Sequence, residues 1–187
     1  MIAREEARKF LNEKIENKNI IKHMIACEAM MRSLARKLGG NEDEWAMAGL
    51  LHDGDYCEGV PAERQGIQVT EWLRERGFEI PESVAQAMAA HNSDNTGAAP
   101  QSKMDWALFC GDSLTGLIVA ATLVLPSRKL ADLAVESVLK RYRESSFARG
   151  TRREDIALCQ EKLGLSLEEF IKISLEAMQG IAEELGL

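Results

Sequence analysis

Apolar residues recur along this chain at three- and four-residue spacing almost throughout, and no stretch alternates long enough to require a strand. Residues 2–14, with Ile2, Ala3, Phe10 and Leu11 as the apolar share, read as a first amphipathic helix. A second is expected from about Asn19 to Leu38. Ile20, Cys27, Met30 and Leu34 lie in its stripe, and Gly39-Gly40 ends it. Asn41 is placed to cap a third helix, with Glu44 reaching back as in a capping box. Pro61 and Pro81 read as first-turn prolines that open helices of about 61–77 and 81–91. A polar loop follows from Asn92 to Ser102, and the most apolar helix then runs from about Lys103 to Leu125. After Pro126 a helix is expected over about 130–144, and Thr151-x-x-Glu154 and Ser166-x-x-Glu169 mark two more starts. Nothing repeats and no change of composition marks a linker. The expectation is a single all-α domain over 1–187, a multi-helix bundle of about eight or nine helices.

Several residues on these stripes do not belong in an ordinary core. His23 lies three residues after Ile20 and four before Cys27, and His52 continues the spacing of Trp45, Ala48 and Gly49. Asp53 and Asp55 follow His52 at a helix C-terminus, where the macrodipole already places negative charge. Two carboxylates there are unfavourable unless a cation offsets them. Asp112 sits inside the apolar run Trp106–Ile118, and an unpaired buried carboxylate costs several kcal/mol. Taken singly, His23 is most simply a core histidine, and Asp53 and Asp55 a solvated turn. His91 falls in a last helical turn, where the dipole favours histidine anyway. Together, the chain's three histidines and these aspartates point to a divalent-metal site built between helices.

Composition narrows the partners. Of 187 residues 45% are hydrophobic and 28% charged, which suits a globular domain with a real core. A net charge of −7 argues against a nucleic-acid polymer as ligand. The four cysteines form no C-x-x-C pair, so reduced thiols are expected. Met1 to Lys14 is charged and amphipathic rather than an apolar leader. The longest uncharged run, Ser113–Ser127, is shorter than the roughly 20 residues of a membrane span. The expectation is therefore a cytoplasmic protein with no membrane partner; the composition leaves room for a homodimer. One stretch runs against the acidic trend: Arg128 to Arg153 holds eight basic residues against three acids, a local net of +5. Arg128, Lys129, Lys140 and Arg149 within it are candidates to hold a substrate phosphate.

His23, then Leu50-Leu51-His52-Asp53, then Gly111-Asp112-Ser113-Leu114-Thr115 on successive helices resembles the HD superfamily of metal-dependent phosphohydrolases. The likeness spans about residues 20–125. It implies that His23, His52, Asp53 and Asp112 are metal ligands, and that an activated water attacks a nucleotide or another small phosphorylated substrate. Such a ligand set suits one divalent transition metal, Mn, Fe, Co, Ni or Zn, better than calcium. Asp55 or Glu58, just past the ligands, would orient or deprotonate the water. The chain departs from multi-metal members in one respect. Pro61-Ala62-Glu63-Arg64-Gln65-Gly66 carries no histidine, which leaves His91 alone for a second ion or a substrate contact. That shortage motivates an alternative, a metal- or nucleotide-binding signalling module without turnover. A di-iron oxygenase on the same scaffold would need more histidines than the chain has.

Overall fold

The structure is a computed structural model describing residues 1–187, all-α and without a strand. Its helices are α1 (Arg4–Lys14), α2 (Lys18–Leu38), α3 (Glu42–Leu51), α4 (Gln68–Glu75), α5 (Glu82–His91), α6 (Ser93–Thr96), α7 (Lys103–Leu123), α8 (Val135–Arg143), α9 (Arg153–Ala157), α10 (Cys159–Leu163), α11 (Leu167–Gln179) and α12 (Ala182–Leu185). The expected eight or nine helices are thus twelve helical segments. The excess over nine comes from α6 and α12, single turns of four residues that no apolar periodicity could reveal, and from the break of the helix expected after Thr151 into α9 and α10.

Two caps form as the sequence suggests. The Asn41 side chain accepts from the N–H groups of Asp43 and Glu44, and Ser166 accepts from that of Glu169. Three other boundaries differ. Pro61 precedes only a 3-10 turn, Ala62–Arg64, and α4 begins at Gln68. The interruption is Gly66, held at φ +88 with its N–H on Asp55. A Cβ there would also stand 2.3 Å from the Met88 carbonyl oxygen, so the site requires glycine. The helix expected over 130–144 is split into the 3-10 turn Leu130–Asp132 and α8. The box at Thr151 does not form, because α9 starts at Arg153 after Arg152 with no side-chain cap. In the supposed loop 92–102, Ser102 and Asp105 instead make a complete capping box for α7.

A single core cluster of 45 buried residues runs through the bundle. The two 21-residue helices, α2 and α7, are its axis. α3, α7 and α11 pack on α2, while α5 covers α3 and α7. At Gly49 the α3 backbone comes so close to α2 that a Cβ would lie 2.6 Å from the Cys27 carbonyl oxygen. Adding even one methyl there costs on the order of 1–3 kcal/mol through overpacking. That contact sets His23 of α2 against His52 just past α3. By length and composition α7 is apolar enough to cross a membrane, yet more than half of that stretch is buried against the chain's own helices.

Candidate metal centre

Three helices and the end of a fourth deliver the polar cluster. His23 comes from α2, His52 and Asp53 from the C-terminal end of α3, His91 from the last turn of α5 and Asp112 from the middle of α7. Their ring and carboxylate atoms converge. His23 Nε2 lies 3.1 Å from His52 Nε2, 2.9 Å from Asp112 Oδ1 and 3.7 Å from Asp53 Oδ2. His52 Nε2 lies 3.5 Å from Asp53 Oδ2 and 3.8 Å from Asp112 Oδ1. His91 Nε2 stands 3.4 Å from the other Asp53 oxygen.

What lies behind each imidazole fixes which nitrogen faces the centre. His52 Nδ1 donates to the Gly49 carbonyl at 2.8 Å, and His91 Nδ1 meets the Met88 carbonyl in the same way, three residues back along its helix. The Thr115 hydroxyl donates to the Asp112 carbonyl at 2.9 Å, leaving its oxygen to accept from His23 Nδ1 at 3.1 Å. In a neutral imidazole the opposite nitrogen then carries a lone pair. With both rings neutral, His23 and His52 would aim these lone pairs at each other, with two carboxylate oxygens beside them. Such an arrangement of acceptors repels itself unless a cation stands among them. The donor set and its outer hydrogen bonds suit a divalent metal ion. The 3.1 Å gap agrees with the roughly 3 Å between neighbouring nitrogens bound about 2.1 Å from one ion.

Burial and neighbouring charge pull the protonation of these groups in opposite directions. Burial of His52, wholly inaccessible to solvent, pushes its imidazole down to about 4, so it stays neutral. Burial works against charge on His23 too, but Cys27 and Asp112 outweigh it and raise the imidazole well above its ordinary value. His91 is raised because Asp53 outweighs its burial. Burial would lift Asp53 and Asp112, yet the surrounding histidines hold both carboxyls below the usual range. Without a metal, protons fill the place of the cation.

Residues 20–129, more than half the chain, match the model of the HD domain family. The chain belongs to the HD domain family. No curated protein and no solved structure matches it. Within this HD domain the expected ligands His23, His52, Asp53 and Asp112 come together, and His91 joins them through Asp53. Ligand atoms fall into two overlapping groups, His23, Cys27, His52 and Asp112, and His52, Asp53 and His91. Cys27, with Sγ 3.9 Å from His23 Nε2, was readable only as a stripe residue. Thr115 lies one helical turn beyond Asp112, and that spacing is the signal that points to it.

Other expected site residues lie elsewhere. Asp55 is fully buried, and its carboxylate accepts from the backbone N–H groups of Gly66 and Val69 at 2.8–2.9 Å. Burial raises its carboxyl while those bonds favour the charged form. Both oxygens are engaged in tying the loop after α3 to the start of α4. Glu58 is exposed on that loop, beside a surface pocket with Lys14 and Glu16. Arg128, Lys129, Lys140 and Arg149 are all exposed and make no contact with the histidine cluster. From the same stretch Arg152 comes nearest. Its N–H reaches the Ser113 hydroxyl at 3.4 Å, while its guanidinium pairs with Asp94 and Asp155.

Proposed function

We propose that this HD domain is a metal-dependent phosphohydrolase acting on a small phosphorylated compound. The observation that carries the reading is the pair of histidine Nε2 atoms facing each other at 3.1 Å beside two carboxylates. His23, His52, Asp53 and Asp112 hold one divalent transition ion. When bound, that ion lowers the pKa of water at the site and offsets charge developing on the phosphoryl oxygens. His91 positions Asp53 by binding its second oxygen, and is the donor open to a second ion. With Asp55 engaged by backbone amides and Glu58 in solvent, Asp112 is the carboxylate best placed to orient the water, with a third of its side chain (33%) exposed against 20% for Asp53. The exposed cations Arg128, Lys129, Lys140 and Arg149 attract an anionic substrate at long range.

Metal analysis of the purified protein, paired with phosphate release from a panel of phosphorylated metabolites, tests this. One transition-metal ion per chain and metal-dependent release support it. A metal-replete protein that turns over nothing on a broad panel overturns it. The engagement of Asp55 favours one alternative, a nucleotide-binding module without turnover. Tight nucleotide binding with no hydrolysis would select it.

A further inference from the structure

Beside the centre lies a cavity of about 430 Å³, between α2, α7 and the C-terminal turn α12. His23 and Thr115 form one wall of it. On α7 the positions Asp112, Gly116, Val119 and Leu123 are spaced four, three and four apart, so a single helical stripe leads from the candidate ligand into the cavity. Gly116 is its most informative residue. A glycine inside a helix costs about 1 kcal/mol relative to alanine. Packing does not demand it: a Cβ at Gly116 would meet nothing within 4 Å. The glycine keeps space open next to a catalytic candidate, where a ligand can lie against the backbone.

We propose that this cavity is the subsite for the organic part of the phosphorylated substrate, and that this part is aliphatic. The inference rests on the phosphohydrolase reading for its reaction, but the subsite stands on its own lining. Ala26, Val119, Leu123, Leu185 and Leu187 supply its aliphatic surface, and no phenylalanine, tyrosine or tryptophan ring is present to stack on a nucleobase. The hydroxyl of Thr115 and Nδ1 of His23 are committed to each other. Among its side chains only Asn19 and Lys22, both exposed, remain to meet polar atoms. A purine or pyrimidine buried there would leave ring nitrogens and carbonyls without partners, at a cost of roughly 1–3 kcal/mol each. An alkyl group has no such atoms, and a volume of this size suits a small organic ligand. Lys22, next to His23 in sequence, sits at the rim to meet the anionic end.

The test is isothermal titration of manganese-loaded protein with methyl-, butyl- and hexylphosphonate, with adenosine monophosphate as comparison. Kd is expected to fall by roughly fourfold per methylene buried. Gly116→Leu should flatten the series and weaken hexylphosphonate at least tenfold. The added side chain enters open space on a helix it favours, so circular dichroism and Tm should show an intact fold. Leu123→Asn, at a half-exposed position, should weaken only the longer members. Equal Kd along the series, no phosphonate binding, or adenosine monophosphate binding tighter than hexylphosphonate overturns the proposal. Hydrolysis of the matching alkyl phosphates is read separately. Chain-length-dependent binding with no turnover would sink the phosphohydrolase reading and leave the subsite standing.

Discussion

Two regions of this protein gather charge, and they differ in how it is balanced. Where α2, α3 and α7 meet, two imidazole Nε2 atoms and two carboxylates face one another, and no lysine or arginine joins them. In the stretch from Arg128 to Arg153 the excess is positive, yet the chain neutralises most of what it brings inside. The Arg153 guanidinium donates to the carbonyls of Tyr142, Glu144 and Phe147 at 2.7, 2.9 and 2.6 Å, closing the segment between α8 and α9. Arg152 pairs with Asp94 and Asp155, and Arg141 with Glu144. The remaining cations stand in water, where screening makes them weak. An electrostatic balance left incomplete inside the protein marks a site better than a count of charges does.

The comparison can be broken most directly at Asp53. Asp53→Ala should abolish stable metal binding and lower phosphate release by about 10³-fold or more, since several kcal/mol of charge stabilisation is lost. Metal content by mass spectrometry and a phosphate assay read the two effects, and a variant with full metal and activity would remove Asp53 from the centre. Arg153→Met should leave the centre's chemistry intact but destabilise the fold by roughly 2 kcal/mol, because three part-buried carbonyls lose a charged donor. Chemical denaturation measures this; an unchanged midpoint would show that Arg153 is not a clamp. Thr115→Val removes the acceptor behind His23 and should weaken metal affinity about 10–100-fold, as outer-shell losses do. Competition against a chelator gives that number, and wild-type affinity would mean that His23 is oriented by something else. Least affected should be Lys140→Ala and Arg149→Ala, each within about 0.5 kcal/mol in stability. Their trace should be a modest rise in KM that disappears at high salt; a large kcat loss would move the phosphate site into this stretch.

Much of the centre was legible because its residues violate the rules that place their neighbours. His23 and His52 occupy core positions of apolar stripes, and Asp112 interrupts the most apolar helix, so each stands out at helical spacing. Asp55 shows the limit of that logic. Two residues from Asp53 and identical in type, it serves the backbone of Gly66 and Val69. Local sequence cannot separate the two carboxylates, because what distinguishes them is which distant groups arrive opposite. The single-turn helices α6 and α12, and the break between α9 and α10, escaped for a related reason, being too short to show a period and stabilised by contacts rather than propensity.

By itself, then, the sequence determined the all-α class, the long helices and the HD-type order of ligands, since these depend on periodicity and on residue chemistry within a few turns. Only the tertiary structure decided that Thr115 and the Gly49 and Met88 carbonyls stand behind the imidazoles, that Asp55 accepts from the Gly66 and Val69 amides, and that a cavity opens over Gly116. Those outcomes depend on backbones meeting at ångström range across long sequence separations, as at Gly49 against Cys27. No spacing along the chain encodes such a meeting.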